Sequence, residues 1–190
     1  LSLLENLLLP YEDVLKVLAA AGADWVQMDE PTLGLTLDDK QRAAFGRAYA
    51  RLSAAVTKLK LLVAVYFSDL RDNLKVALAM PVAGLHLDLV RGPEQLDATL
   101  AKLPPEMSLS LGVVDGRNVW KANLADAMGL VTKAVSAIGT ERVLVAPSCS
   151  LLHTPVDLDS EVELDDELKS WLAFAKQKVT EVATITAAVS

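Results

Sequence analysis

Cysteine is nearly absent from the 190-residue chain: Cys149 stands alone, so no internal disulfide can form. A lone thiol fits a reducing compartment, and the cytoplasm is the expected setting. Histidine is almost as scarce, with His86 and His153 only. Structural zinc takes four Cys or His ligands and catalytic zinc three protein ligands, so no metal site of the chain's own is expected. Basic residues are outnumbered, 18 Lys and Arg against 25 Asp and Glu, for a net charge of −7. A nucleic-acid surface needs clustered cations and is excluded on that balance. A polyanionic substrate would need a local basic pocket to overcome the overall field. Long apolar runs are missing as well. The stretch 61–67 is typical, far short of the roughly 18 residues that span a bilayer. The apolar residues 1–9 have no basic flank and no small-residue cleavage site, so they do not read as a signal peptide. The chain opens on Leu1 and not on methionine, which reads as a cut end inside a longer polypeptide.

What is present is a regular alternation. Apolar residues make up 52% of the chain, enough for the core of one domain. A helix is expected over 10–20, opened by Pro10 and stopped by Gly22. A strand follows at 25–28 and a helix over 38–58, whose Ala44, Phe45, Ala48, Leu52 and Ala55 recur at three- and four-residue steps. The same pairing repeats as strand 61–67 with helix 73–80, strand 84–90 with helix 93–103, strand 108–114 with helix 123–138, and strand 142–146 with a final helix over 165–188. Near-continuous apolar strands alternating with helices imply a parallel sheet covered on both faces. The fold class is therefore α/β. An open doubly wound sheet would be complete with five strands, whereas a closed (β/α)8 TIM barrel needs eight. Two features favour five consecutive βα units of a partial barrel. The chain starts on a helix, and no first turn carries a glycine-rich phosphate motif. A cut barrel leaves unpaired edges, so the missing strands are expected elsewhere in the intact molecule.

In both architectures, sites form at the C-terminal ends of strands. The candidates there are Asp29 and Glu30; Tyr66, Ser68 and Asp69; His86, Asp88 and Arg91; Asp115, Arg117 and Asn118; and Ser148, Cys149, Ser150 and His153. Asp29 and Glu30 are adjacent, so on a strand they point apart and do not share a proton. His86 and Asp88 alternate onto one face, as metal ligands or as a satisfied polar pair. Arg117 could grip a carboxylate in bidentate fashion or pair with a nearby Asp. Cys149 would need a base and a lowered pKa to act as a nucleophile. The acidic run 157–167 lacks the turn glycine and final glutamate of a calcium loop, and reads as charge favouring the N-terminus of the last helix.

Several phrases stand together in order: Trp25-Val-Gln-Met-Asp-Glu-Pro31, Gly84-Leu-His-Leu-Asp-Leu-Val90, Leu111-Gly-Val-Val-Asp-Gly-Arg-Asn-Val-Trp120, Ala146-Pro-Ser-Cys-Ser-Leu-Leu-His153 and Lys169-Ser-Trp-Leu-Ala-Phe-Ala-Lys-Gln-Lys178. They resemble the N-terminal barrel of the cobalamin-independent methionine synthase family, over essentially the whole chain. The resemblance implies a two-barrel methyltransferase that carries a methyl group from methylated folate polyglutamate to homocysteine. Zinc in the C-terminal barrel activates the thiol, and folate binds between the barrels. Residues 1–190 would then be the later portion of the N-terminal barrel, without the catalytic barrel.

By the same resemblance, a His-x-Cys zinc pair of the related catalytic barrel corresponds to Val63 and Val65. A Glu ligand corresponds to Asp88 and a Cys ligand to Cys149, while a catalytic His gives way to the turn at Asp115 and Gly116. The expected segment is a scaffold without catalytic residues or metal. Asp29, Glu30, Arg117 and Asn118 are its substrate-contact candidates, its partner is the rest of the polypeptide, and no folate contact is carried over. The alternatives are a uroporphyrinogen decarboxylase-like barrel, which would want more basic groups than Arg91 and Arg117, and a freestanding flavodoxin-like binding domain.

Overall fold

A computed structural model describes residues 3–189. The strands are β1 (Trp25–Asp29), β2 (Lys60–Val65), β3 (Gly84–Asp88), β4 (Ser108–Val114) and β5 (Val143–Pro147). The α-helices are α1 (Leu4–Ala20), α2 (Asp39–Ala55), α3 (Leu74–Ala79), α4 (Gln95–Leu100), α5 (Leu124–Ile138), α6 (Asp166–Trp171) and α7 (Ala175–Val189). Helix starts follow their capping chemistry. Asp38 and Gln41 form a reciprocal capping box on α2, and Asn123 accepts from the amides of Ala125 and Asp126 at α5. Gly139, at φ 85°, ends α5 in a conformation that an L side chain resists.

All five strands are parallel and stand in the order β1-β2-β3-β4-β5. This order decides between the two architectures. A doubly wound sheet reverses direction at a switch point and puts helices on both faces. Here the order never reverses, so right-handed crossovers lay the connecting helices α2 to α5 on one side, as in an arc of barrel wall. The freestanding flavodoxin-like alternative is thereby set aside. Among the described residues, the outer edges of β1 and β5 pair with no strand.

Alternation separates the two faces. Val63, Val65, Leu85, Leu87, Leu109 and Leu111 share one buried cluster with Tyr49, Ala77, Leu96, Val131, Ala134 and Ile185 of the helices. The opposite parity forms the inner face. One register row crosses all five strands there: Asp29, Ala64, His86, Ser110 and Leu144. The zinc-pair correspondence needs correcting on this point. Val63 and Val65 face the helices, and the inner positions of β2 are Leu62 and Ala64. Neither of those carries a metal-binding atom either.

Helix boundaries differ most from expectation at the first and last helices. Helix α1 begins at Leu4, not at Pro10, because Leu8 and Leu15 both anchor it in a second cluster with Leu52 and Leu61. The final helix is two helices. Residues 172–174 leave helical geometry to join the loop after β4: the Lys121 amide donates to the Trp171 carbonyl, and the Ala173 amide to the Val119 carbonyl. The acidic run serves both pieces. Asp165 caps α6, and Asp157 and Asp159 hold Lys176 at the start of α7.

Candidate functional site

The strand ends bring most of the sequence candidates to one rim and occupy most of them structurally. Asp29 ends β1 on the inner face and accepts from Gln27 Nε2 (2.7 Å) and Tyr66 Oη (3.1 Å). Glu30 turns the other way and accepts from Tyr49 Oη of α2 at 2.8 Å. The two carboxylates are therefore divided between faces. Burial pushes the Glu30 carboxyl above its ordinary range, against the lowering effect of the Tyr49 hydrogen bond.

His86 and Asp88 are fully engaged. Ser148 presents its carbonyl oxygen 3.1 Å from His86 Nε2, and a carbonyl can only accept, so Nε2 carries the proton. Nδ1 then accepts from the Ser110 hydroxyl at 2.9 Å. Burial holds the imidazole pKa below its usual 6.5. Asp88 accepts from three backbone amides, those of Phe67, Val90 and Arg91, at 2.9 to 3.1 Å. It ties the ends of β2 and β3 together. Both residues are thus satisfied polar groups, with neither aimed at an open site.

The loop after β4 is organised by Asp115. Its carboxylate takes the Arg117 amide (2.7 Å) and Asn118 Nδ2 (2.9 Å), and lies 3.9 Å from Arg91. Lys178, not among the sequence candidates, reaches this loop from α7. It is fully buried, and its Nζ donates to Asn118 Oδ1 (3.1 Å) and the Trp120 carbonyl (2.9 Å). Burial draws its pKa down. The Arg117 guanidinium lies 4.5 Å over the ring of Phe67, which also meets Tyr66 and His153 edge-on. Phe67 adopts φ 68°, a left-handed backbone that costs a non-glycine residue about 1–3 kcal/mol.

Cys149 is buried, with its Sγ 3.6 Å from the Ser150 carbonyl. Burial raises its pKa, the reverse of what a nucleophile needs. His153 meets Phe67, not the thiol. Among the described residues no three His, Cys, Asp or Glu side chains are grouped to hold a metal ion. The donor set does not fit zinc.

A substantial concavity lies elsewhere. A groove of about 800 Å³ runs along the open edge of β1, lined by Leu7, Tyr11, Val14 and Leu18 of α1, Phe45 of α2 and Val26 of β1. The first three are more than half exposed. Their apolar side chains were legible in the sequence, but not their exposure among the described residues.

A family model described as the cobalamin-independent synthase N-terminal domain matches residues 1–139. The chain belongs to this family. Among its synthase relatives, a 5-methyltetrahydropteroyltriglutamate–homocysteine methyltransferase from Nitrobacter winogradskyi is 54% identical over the whole chain, which covers 25% of that protein. The enzyme of the same name from Salinibacter ruber is 54% identical over 97% of the chain, covering 24% of its own length. The chain thus spans about a quarter of these synthases. Two solved structures share the fold: a Listeria monocytogenes protein assigned as a vitamin-B12-independent methionine synthase (TM-score 0.64, 11% identity, 98% of this chain and 55% of that one), and a B12-independent methionine synthase from Shewanella sp. W3-18-1 in complex with selenomethionine (TM-score 0.57, 14% identity, 94% and 51%). The uroporphyrinogen decarboxylase-like alternative is not favoured beside this synthase match.

Proposed function

We propose that the chain is the later portion of the N-terminal barrel of a two-barrel methyltransferase. That enzyme moves a methyl group from 5-methyltetrahydrofolate polyglutamate to homocysteine, giving methionine. The observation that carries this reading is identity of about half along the entire chain to methyltransferases four times its length. The open sheet edges and the groove beside β1 support the barrel assignment: a preceding βα unit would pair with β1 and cover Leu7, Tyr11 and Val14.

Within the segment, the barrel serves as scaffold and holds no complete active site. The zinc that would activate the homocysteine thiol belongs to the other barrel, since the inner row here offers Ala64 and a committed His86 where ligands would be wanted. Asp29, Glu30 and Asn118 are occupied by neighbours, which leaves Arg117 as the contact candidate facing the rim. The enzyme would work in the cytoplasm; no helix among the described residues is long and apolar enough to cross a membrane.

The test is methyl transfer and metal content, measured on the full-length polypeptide and on residues 1–190 alone. The full-length protein should bind zinc and form methionine from homocysteine and methylated folate, while the isolated segment does neither. Stoichiometric zinc held by the segment alone would refute the scaffold reading, and a full-length protein without methyl transfer would refute the enzyme assignment.

A further inference from the structure

We propose that Arg117 is a receptor for an organic monocarboxylate at the barrel rim, stacked on Phe67 and held in place through the loop that buried Lys178 anchors. The proposal does not rest on the methyltransferase reading. Its first support is an uncommitted cation. Arg71 and Arg91 at the same rim face Asp69 and Asp115. Among the described residues the Arg117 guanidinium meets no carboxylate or carbonyl, and its recorded contact is the Phe67 ring. Nearby acids are already used: Asp115 by the Arg117 amide and Asn118, Asp88 by three backbone amides, and Asp29 by Gln27 and Tyr66. All five of its N–H donors therefore remain available in the planar fork that fits a carboxylate.

The second support is rigidity. An exposed arginine ordinarily samples many rotamers and loses that freedom on binding. Here both ends are fixed. The backbone is pinned by Asp115, which Asn118 ties to Lys178. The side chain lies over a ring that is itself set by Tyr66, His153 and the bond from the Phe67 amide to Asp88. A loop that merely joins β4 to α5 has no need of a buried ammonium, which must be desolvated to sit there. Fixing Arg117 gives that burial a purpose. The third support is the apolar setting. Phe67 lies under the guanidinium and the His153 edge beside it, so a carboxylate on an apolar body suits the rim.

The probe is 4-bromobenzoate, soaked into crystals of the full-length protein and located by bromine anomalous scattering, with 4-bromobenzamide as the neutral isostere. A bromine peak beside Phe67 with the carboxylate on Arg117 is expected from the acid and not from the amide. Calorimetry with benzoate should show affinity for this site falling about tenfold or more in Arg117→Lys, which keeps the charge but loses the fork. Asn118→Ala, which cuts the tether to Lys178, should weaken binding while the carboxylate still sits on Arg117. Bromine only at other places, equal occupancy by the amide, or unchanged benzoate affinity in Arg117→Lys would each overturn the proposal.

Discussion

His86 sits buried between the Ser110 hydroxyl and the Ser148 carbonyl. Because burial lowers its folded pKa below 6.5, the unfolded chain binds a proton that the folded chain refuses. Its stability contribution is complete above pH 6.5 and is lost as pH falls below that value. Urea midpoints measured at neutral pH and about one unit below 6.5 should therefore differ, with the acid value lower, and His86→Gln should flatten that dependence. Cys149 makes a contrasting case. Its thiol is buried, raised in pKa and without a base, so Cys149→Ala should leave methyl transfer by the full-length enzyme nearly unchanged. A loss near the 10²-fold scale of a missing catalytic donor would contradict that. At this scale the sequence was informative about which residues reach the rim and poor about their commitments. His86 and Asp88 were readable as sharing one face; that Asp88 caps three amides depends on where loops from β2 and β3 return. Lys178 was invisible because a lysine in an amphipathic helix reads as solvated.

Strands were the most legible elements, since each is a short apolar run bounded by turn residues. Their sidedness was not. Leu61 to Val65 is apolar at every position, so the run has no period that distinguishes inner from outer face, and the zinc-pair correspondence fell on the wrong parity. The break at 172–174 was hidden for a related reason: Leu172 and Phe174 continue an apolar pattern, and only pairing with 119–121 removes them from the helix. Gly112 shows how tightly adjoining strands meet. A Cβ there would stand 2.7 Å from Ser148 Cα and 2.8 Å from the Leu87 carbonyl oxygen, both backbone atoms. Gly112→Ala should destabilise by about 1–3 kcal/mol or more. Gly129, inside α5 with nothing within 4 Å, should respond oppositely, gaining about 0.5–1 kcal/mol as alanine. Guanidinium unfolding of the two variants checks both signs.

The described residues form an arc with a helical outer layer, a partly polar inner face and two sheet edges that pair with no strand among them. The exposed apolar residues of α1 make its largest liability when the segment is isolated, because contiguous apolar surface promotes association. Replacing Leu7 and Val14 with glutamate should reduce self-association of residues 1–190, measured by light scattering, with helicity preserved. In the full-length polypeptide the same pair should lower the melting temperature, since the preceding unit would have to bury two charges. Equal melting temperatures would mean that nothing covers this face.

The unreversed strand order also bears on how the chain reaches this state. Each of β2 to β5 pairs with the strand synthesised immediately before it. Each βα unit after the first finds a template one crossover away, so the wall can lengthen in the direction of translation, each step closing one helical crossover such as residues 30–59 between β1 and β2.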